Sequence, residues 1–266
     1  MPGLAGSGFT TALGGAWGRS VARYFDWALR PECVRVSGYR PATAAIWACW
    51  HEANMLGLVA YPHLNRARQC YSFVPAGWVG AVAQGWVTAV DIVPAPKGDH
   101  TRSGGFAALR RLLWALRQGH DVVVAVDAGG PAGHVHPGAL WLARASGCPL
   151  VPVGAAAAPV LRLPRWDRLM VPLPGARAEL LCGPPIHVER RADLEGALRA
   201  ATARALHAAT NEARRLLRSE EARRQLVIEE ARRQLTIEQT GRRLMTERSA
   251  RQQTTEQTVH NVEGDS

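Results

Sequence analysis

"DVVVAVDAGGPAGHVHPGALWLARASGCPLVPV", residues 121–153, decides the fold. Its first seven residues, "DVVVAVD", form an apolar, valine-rich run with an acid at each end. A strand with one wet face alternates polar and apolar residues, so this run predicts a strand buried on both faces. "AGGPAGHVHPG" reads as a loop, "ALWLARASG" (139–147) as a helix, and "CPLVPVGAAAA" (148–158) as a second buried strand. Strand, loop, helix and strand in that order predict parallel pairing.

The same alternation extends outward. "TAAIWACW" (43–50) predicts a further buried strand and "EANMLGLVAYPHL" (52–64) the helix after it. A glycine-rich segment then reaches about residue 90. It precedes a short strand "AVDIVP" (89–94) and a loop "APKGDHTRSGG" (95–105). "FAALRRLLWALRQG" (106–119) is an amphipathic helix with Gly119 at a natural C-cap. "RAELLCGPPIHV" (177–188) adds one or two strands at the far edge. The expected fold is a single α/β domain with a mixed, mostly parallel sheet flanked by helices. Three regions are expected: an N-terminal amphipathic helix and lead-in (1–40), the α/β domain (41–210) and a charged tail (211–266).

Bulk properties narrow the function. The 266 residues are 47% apolar, enough for one large core. The five cysteines are scattered and form no Cys-x-x-Cys pair, which argues against a disulfide framework or a zinc site and fits a reducing cytoplasm. No signal peptide is expected from "MPGLAGSGFTTALGG". The longest apolar run, "VPAGWVGAVAQGWVTAV" (74–90), is too short and too broken for a bilayer span. Formal net charge is +10, and residues 211–266 hold 11 arginines against 10 acids, so nearly all of the surplus lies upstream. Such a body attracts anionic surfaces: phospholipid headgroups, nucleotide phosphates or nucleic acid. Arginine also serves as a plain solubilising residue here, since Lys97 is the only lysine.

The two ends differ in pattern. From 211 the tail repeats every nine residues, as in "EEARRQLVI" and "EEARRQLTI". Nine residues are two and a half helical turns, so Leu217, Leu226, Leu235 and Leu244 alternate sides and build no single stripe. A solvated arginine–glutamate helix fraying after about Thr254 is expected. Near the N-terminus, Leu13, Trp17, Val21, Tyr24 and Ala28 share one helical face, opposite Arg19, Arg23 and Arg30. That face suits either a membrane interface or the protein's own core.

In open parallel sheets chemistry gathers at the carboxyl ends of strands. Two polar residues stand there: His51, after the strand ending at Trp50, and Asp127, before the glycine loop. Each also has a structural reading. A histidine among tryptophans serves as a satisfied core residue, and Asp127 caps a turn. Asp167 in "RWDRLM" reads as a structural partner of Arg165 or Arg168 ahead of a catalytic acid. His134 and His136 lack a third ligand, so no metal is expected. The nine tryptophans fit an acyl groove or plain aromatic burial.

"DVVVAVDAGGPAGHVHPGALWLARASGCPLVPVGAAA", followed by "RWDRLMVPLP" and "CGPPIHV", resembles the lysophospholipid acyltransferase superfamily, the glycerolphosphate acyltransferase fold. It is most like an uncharacterised bacterial branch, over about Ile46–Val188. The resemblance implies phospholipid biosynthesis: a fatty acyl group passes from an acyl-coenzyme A or acyl carrier protein thioester to a hydroxyl of a lysophospholipid or related acceptor. His51 matches the catalytic histidine, a general base. No cofactor is implied beyond the thioester co-substrate. The superfamily's aspartate five residues after the histidine is Leu56 here, which leaves Glu52, Asp91, a backbone carbonyl or nothing to hold the ring. Arg102, with Ser103, Gly104 and Gly105, matches the block that contacts an anionic acceptor. Asp127, Gly129, Gly130 and Pro131 match an acid–glycine loop shaping the acceptor pocket, and Glu52 is a further acceptor contact. The expected partners are the thioester donor, the lysolipid and an anionic membrane surface, and the expected location is the cytoplasm, peripheral at the inner face of the membrane. A catalytically inactive lipid-binding protein on the same fold is the rival reading. Nucleic-acid binding is not expected, because no stretch interleaves basic and aromatic residues.

Overall fold

A computed structural model describes the backbone over residues 4–64, 67–97 and 102–263. The chain divides into two units, Met1–Leu217 and Arg218–Ser266.

The first unit is the α/β domain. Helix α1 (Leu4–Ala28) leads to β1 (Val34–Gly38) and β2 (Ile46–Cys49). A 3-10 turn at His51–Ala53 opens α2 (Asn54–Leu64). Then come β3 (Cys70–Val74), α3 (Gly77–Ala89), β4 (Ile92–Pro96), α4 (Arg102–Arg117), β5 (Asp121–Ala125) and α5 (Pro137–Ser146). A long hairpin of β6 (Leu150–Arg162) and β7 (Met170–Cys182) precedes α6 (Gly196–Glu263). One seven-stranded sheet has the order β1-β7-β6-β2-β5-β3-β4. Strands β6, β2, β5, β3 and β4 run parallel, whereas β7 runs against β6 and carries β1 parallel to itself. The mixed, mostly parallel sheet flanked by helices is the architecture the sequence predicts.

Alternation along β2 sorts the two layers. Trp47 and Cys49 join the cluster built with α1, α2 and α3, and Ile46 and Ala48 join that of α4 and α5. With both faces covered, β2 is buried throughout. The chain leaves β2 for β3 on one side, while β5 reaches β6 on the other side of β2. The carboxyl end of β2 is therefore a topological switch point, where a crevice opens in such sheets.

Several local readings need correction. The glycine-rich segment before residue 90 holds β3 and α3, because its glycines are packing surfaces. A Cβ on Gly18 would sit 2.0 Å from the Val82 carbonyl oxygen, and one on Gly85 would sit 2.1 Å from that of Gly15. Bare backbone lets α1 and α3 approach this closely. Segment 95–105 is not loop throughout, since α4 starts at Arg102. Strand β1 went unpredicted; five residues of mixed exposure give no periodic signal. Helix α6 continues past Thr254 to Glu263.

Of the face expected for α1, Ala28 is buried and Val21 and Tyr24 pack on the core, while Leu13 and Trp17 face solvent. Gly14, Gly18, Ala22 and Phe25 complete the side that faces the protein. The second unit is the remainder of α6; Leu226, Val227 and Ile228 are exposed there. Among the described residues no helix is long and apolar enough to cross a membrane.

Candidate functional site

The site starts where β2 ends. Trp50 is extended and buried against the His207 ring of α6, with centroids 4.8 Å apart, and His51 then begins the 3-10 turn. The His51 backbone N–H donates to Asp127 Oδ1 at 2.7 Å, and the Gly133 N–H donates to Asp127 Oδ2 at 3.0 Å. Asp127 is buried, with both carboxylate oxygens held by main chain. It ties the end of β2 to the loop after β5. These bonds match the structural reading of Asp127 as a residue that caps the turn after its strand, with its oxygens bracing the glycine loop and the start of the His51 turn.

The ring is held from elsewhere. Asp167 Oδ2 lies 2.7 Å from His51 Nδ1. The Asp167 side chain is fully buried, and the imidazole is 24% exposed. An ionised carboxylate only accepts, so the hydrogen in this pair belongs on Nδ1, which leaves the Nε2 lone pair free. Arg165 also donates to Asp167 Oδ2, at 3.3 Å, and the Leu169 N–H to Oδ1, at 3.4 Å. Of the two arginines the sequence offers, Arg165 is the one bonded to Asp167, and the same carboxylate also holds the His51 ring, a place the sequence reading did not give it.

The two acids considered for that role are placed otherwise. Glu52 accepts from Arg162 at 2.9 Å and from Arg214 at 3.0 Å, tying β6 and α6 to the turn. Its carboxylate is engaged by these guanidiniums. Asp91 lies just before β4, at the opposite edge of the sheet, in a left-handed turn (φ 59°). It cannot reach the ring.

The Trp166 ring stands 5.1 Å from the His51 ring, inclined at 44°, and an added Cβ on Gly130 would meet that indole at 3.3 Å. Gly129 and Gly130 have φ of 97° and 72°, a backbone region that glycine enters without strain. The Gly130 N–H donates to the Asp127 carbonyl at 2.9 Å. Gly129, Gly130 and Pro131 therefore belong to the His51 side of the sheet, beside Trp166. Arg102, Ser103 and Gly104 form the start of α4, and their side-chain surroundings lie outside the described residues; Gly105 follows, half-buried. His136 Nε2 lies 3.2 Å from the Gly130 carbonyl oxygen, and Arg199 donates to His134 Nε2 at 2.6 Å.

The Cys49 thiol, two residues before the histidine, is pushed up from 9.0 to about 12 by burial and secondarily by the Asp127 charge. It stays protonated and out of the chemistry. Sequence reasoning missed the placement of Trp166, Arg162 and Arg214 around the turn. The available signal was an acid flanked by tryptophan and arginine at the turn between β6 and β7.

Comparison with known proteins adds little. No described protein family and no solved structure matches the chain. Over 87 residues it is 29% identical to the uncharacterised protein RP090 of Rickettsia prowazekii (strain Madrid E), covering 32% of this chain and 40% of that protein. The chain thus spans under half the length of the curated relative it matches.

Proposed function

We propose that the protein is an acyltransferase of the lysophospholipid acyltransferase kind, with His51 as general base. The observation that carries this reading is the Asp167–His51 pair at the carboxyl end of the central strand. Nε2 takes the proton of an acceptor hydroxyl as its oxygen attacks the thioester carbonyl carbon. The carbon–sulfur bond then breaks, and the departing thiolate takes the proton back from the imidazolium. Asp167 fixes the tautomer and stabilises the positive ring between those steps. No acyl-enzyme is required.

The superfamily aspartate replaced by Leu56 is buried apolar surface here, 1% exposed. Its work passes to Asp167, reached through space from the β6–β7 hairpin. This removes the main reason for the inactive lipid-binding reading. The exposed Arg165 and Arg168 beside Trp166 suit the phosphate of an anionic acceptor or of the thioester carrier. Asp127 and the Gly129–Pro131 loop hold the turn and wall in place. A substrate of this class partitions into bilayers, so the enzyme works in the cytoplasm, peripheral to the inner face of the membrane.

The test is a transfer assay on purified protein with acyl-coenzyme A or acyl-loaded carrier protein and a lysophospholipid acceptor. His51→Ala is expected to lower turnover by about 10³, within the range for losing a positioned base. Equal product formation by wild type and His51→Ala would overturn the proposal.

A further inference from the structure

The edge of the sheet that carries His51 carries a second feature. Helix α3 starts three residues after β3 ends, so its first turn stands at that edge, and Trp78 and Val79 are exposed there. Helix α1 runs alongside in the same direction. Gly14 faces Ala81 and Trp78, Gly18 faces Val82, and the Phe25 ring meets the Trp86 ring edge-on at 4.6 Å. The early turns of α1 therefore lie at the same edge. Phe9 (70% exposed), Leu13 and Trp17 (62% exposed) point away from the protein there. Leu13, Ala16, Trp17, Ser20 and Trp78 line a shallow groove across the two helices.

The surroundings indicate what covers this patch. At about 100° per residue, Phe9, Leu13 and Trp17 fall within about 80° of one another, and Arg19 and Arg23 line up along one flank. Both arginines are exposed. A second copy of the chain is a poor occupant, because a symmetric contact would bring two arginine rows together. An anionic lipid surface meets both needs at once: aromatic side chains settle at the headgroup boundary and guanidiniums meet phosphates.

We infer that the α1–α3 patch of Phe9, Leu13, Trp17, Trp78 and Val79, flanked by Arg19 and Arg23, docks on an anionic bilayer surface. This names the partner surface for the reading above and rests on it only for the purpose of docking. The seating turns the His51 edge of the sheet toward the lipid. An acceptor still lodged in the leaflet then reaches Nε2 by a short excursion and need not cross water.

The experiment is cosedimentation of the full chain with phosphatidylcholine vesicles, with and without phosphatidylglycerol. Wild type is expected to favour the phosphatidylglycerol vesicles. A Trp17→Ser/Trp78→Ser double variant should bind at least about tenfold less, given the transfer energy of two indoles. Arg19→Glu/Arg23→Glu should abolish the preference for anionic lipid, because each charge contributes appreciably near such a surface. Trp114→Ser, an exposed tryptophan of α4 on the other face, should bind as wild type does. Circular dichroism melting confirms that each variant folds.

Unchanged binding by the tryptophan double variant would overturn the inference. So would sedimentation equilibrium showing a wild-type dimer that the double variant dissolves, since a second copy would then own the patch. Turnover on a short-chain, monomeric acceptor keeps the two proposals apart. The tryptophan variant should retain it, and His51→Ala should lose it while still binding vesicles.

Discussion

Two aspartates bracket "VVVAV", one at each end of the same central strand, and their surroundings differ. At the amino end, Asp121 is fully buried and accepts from the Ala45 N–H at 2.9 Å, the Tyr61 hydroxyl at 2.9 Å and Arg68 Nε at 3.3 Å. Arg68 also donates to the carbonyls of Pro41 and Ala42. That end is closed. At the carboxyl end, Asp127 holds two backbone amides and leaves the imidazole beside it partly open, with a separate acid on its Nδ1. The same residue type on the same strand thus locks one edge and frames a partly open imidazole at the other. The difference lies in where the polar partners come from. Asp121 draws side chains onto itself, whereas Asp127 organises main chain and keeps the side-chain space clear.

The largest expected effect sharpens this contrast. Asp167→Asn keeps an acceptor oxygen near Nδ1 but removes the charge opposite the imidazolium. Turnover per folded molecule should fall by about 10⁴, the size of loss for a triad carboxylate made an amide, while stability falls by only about 2 kcal/mol, because the amide NH2 then faces the Leu169 N–H. Steady-state rates and calorimetry on one preparation check it; unchanged turnover per folded molecule would make Asp167 merely structural.

At the closed end the order reverses. Asp121→Ala strands Arg68, Tyr61 and the Ala45 amide, so unfolding in urea should show a loss of about 3–5 kcal/mol, the range for breaking a buried charged network. Turnover per folded molecule should hardly change.

Asp127→Asn falls between the two. An amide has one acceptor oxygen where the carboxylate offers two, so either the His51 or the Gly133 N–H faces an NH2 group. A loss of about 2 kcal/mol and a fall in turnover of roughly tenfold are expected, the first from one unmet buried donor and the second from loosening the His51 turn.

Alkaline titration probes both ends together. Burial raises the Cys49 thiol to about 12 and the Cys182 thiol to about 11, and it raises the Cys70 thiol and Tyr61 hydroxyl beside Asp121 well above their ordinary values. The unfolded thiols ionise near about 8.5, so the folded chain binds more protons above that point. The stabilisation is complete below about 8.5 and is lost as pH rises toward 11–12. Melting temperature should decline steadily across that window, and a flat profile would place these thiols in contact with water.

The smallest effect is at Glu52. Its arginine partners are 33% and 38% exposed, so Glu52→Gln should cost less than about 1 kcal/mol in a melting experiment.

Legibility in the sequence followed the range of the interactions. The run from Asp121 to Val153 announced its strand, loop, helix and strand because burial on both faces leaves a local imprint. His51 could be picked out because it follows a buried strand. Asp167 was visible as an acid between two arginines at the β6–β7 turn, but its pairing with the ring is a tertiary contact across 116 residues, and no local spacing encodes it. The glycines of α3 misled for the opposite reason. Their composition suggests irregular chain, yet Gly77 opens the helix at a positive φ, Gly80 abuts the Pro75 carbonyl, and Gly85 lets the backbone of α1 pass about 2.1 Å from where its side chain would start.

The distance along the chain between the histidine and its acid has a consequence during synthesis. When β2 through β5 have left the ribosome, the parallel centre of the sheet exists, yet the imidazole still lacks its counter-charge. Only after the β6–β7 turn emerges does the ring acquire a fixed proton. A fragment ending before "RWD" would carry His51 without the acid that pairs with it, so under the proposed mechanism the chain stays inert until its last strands are home.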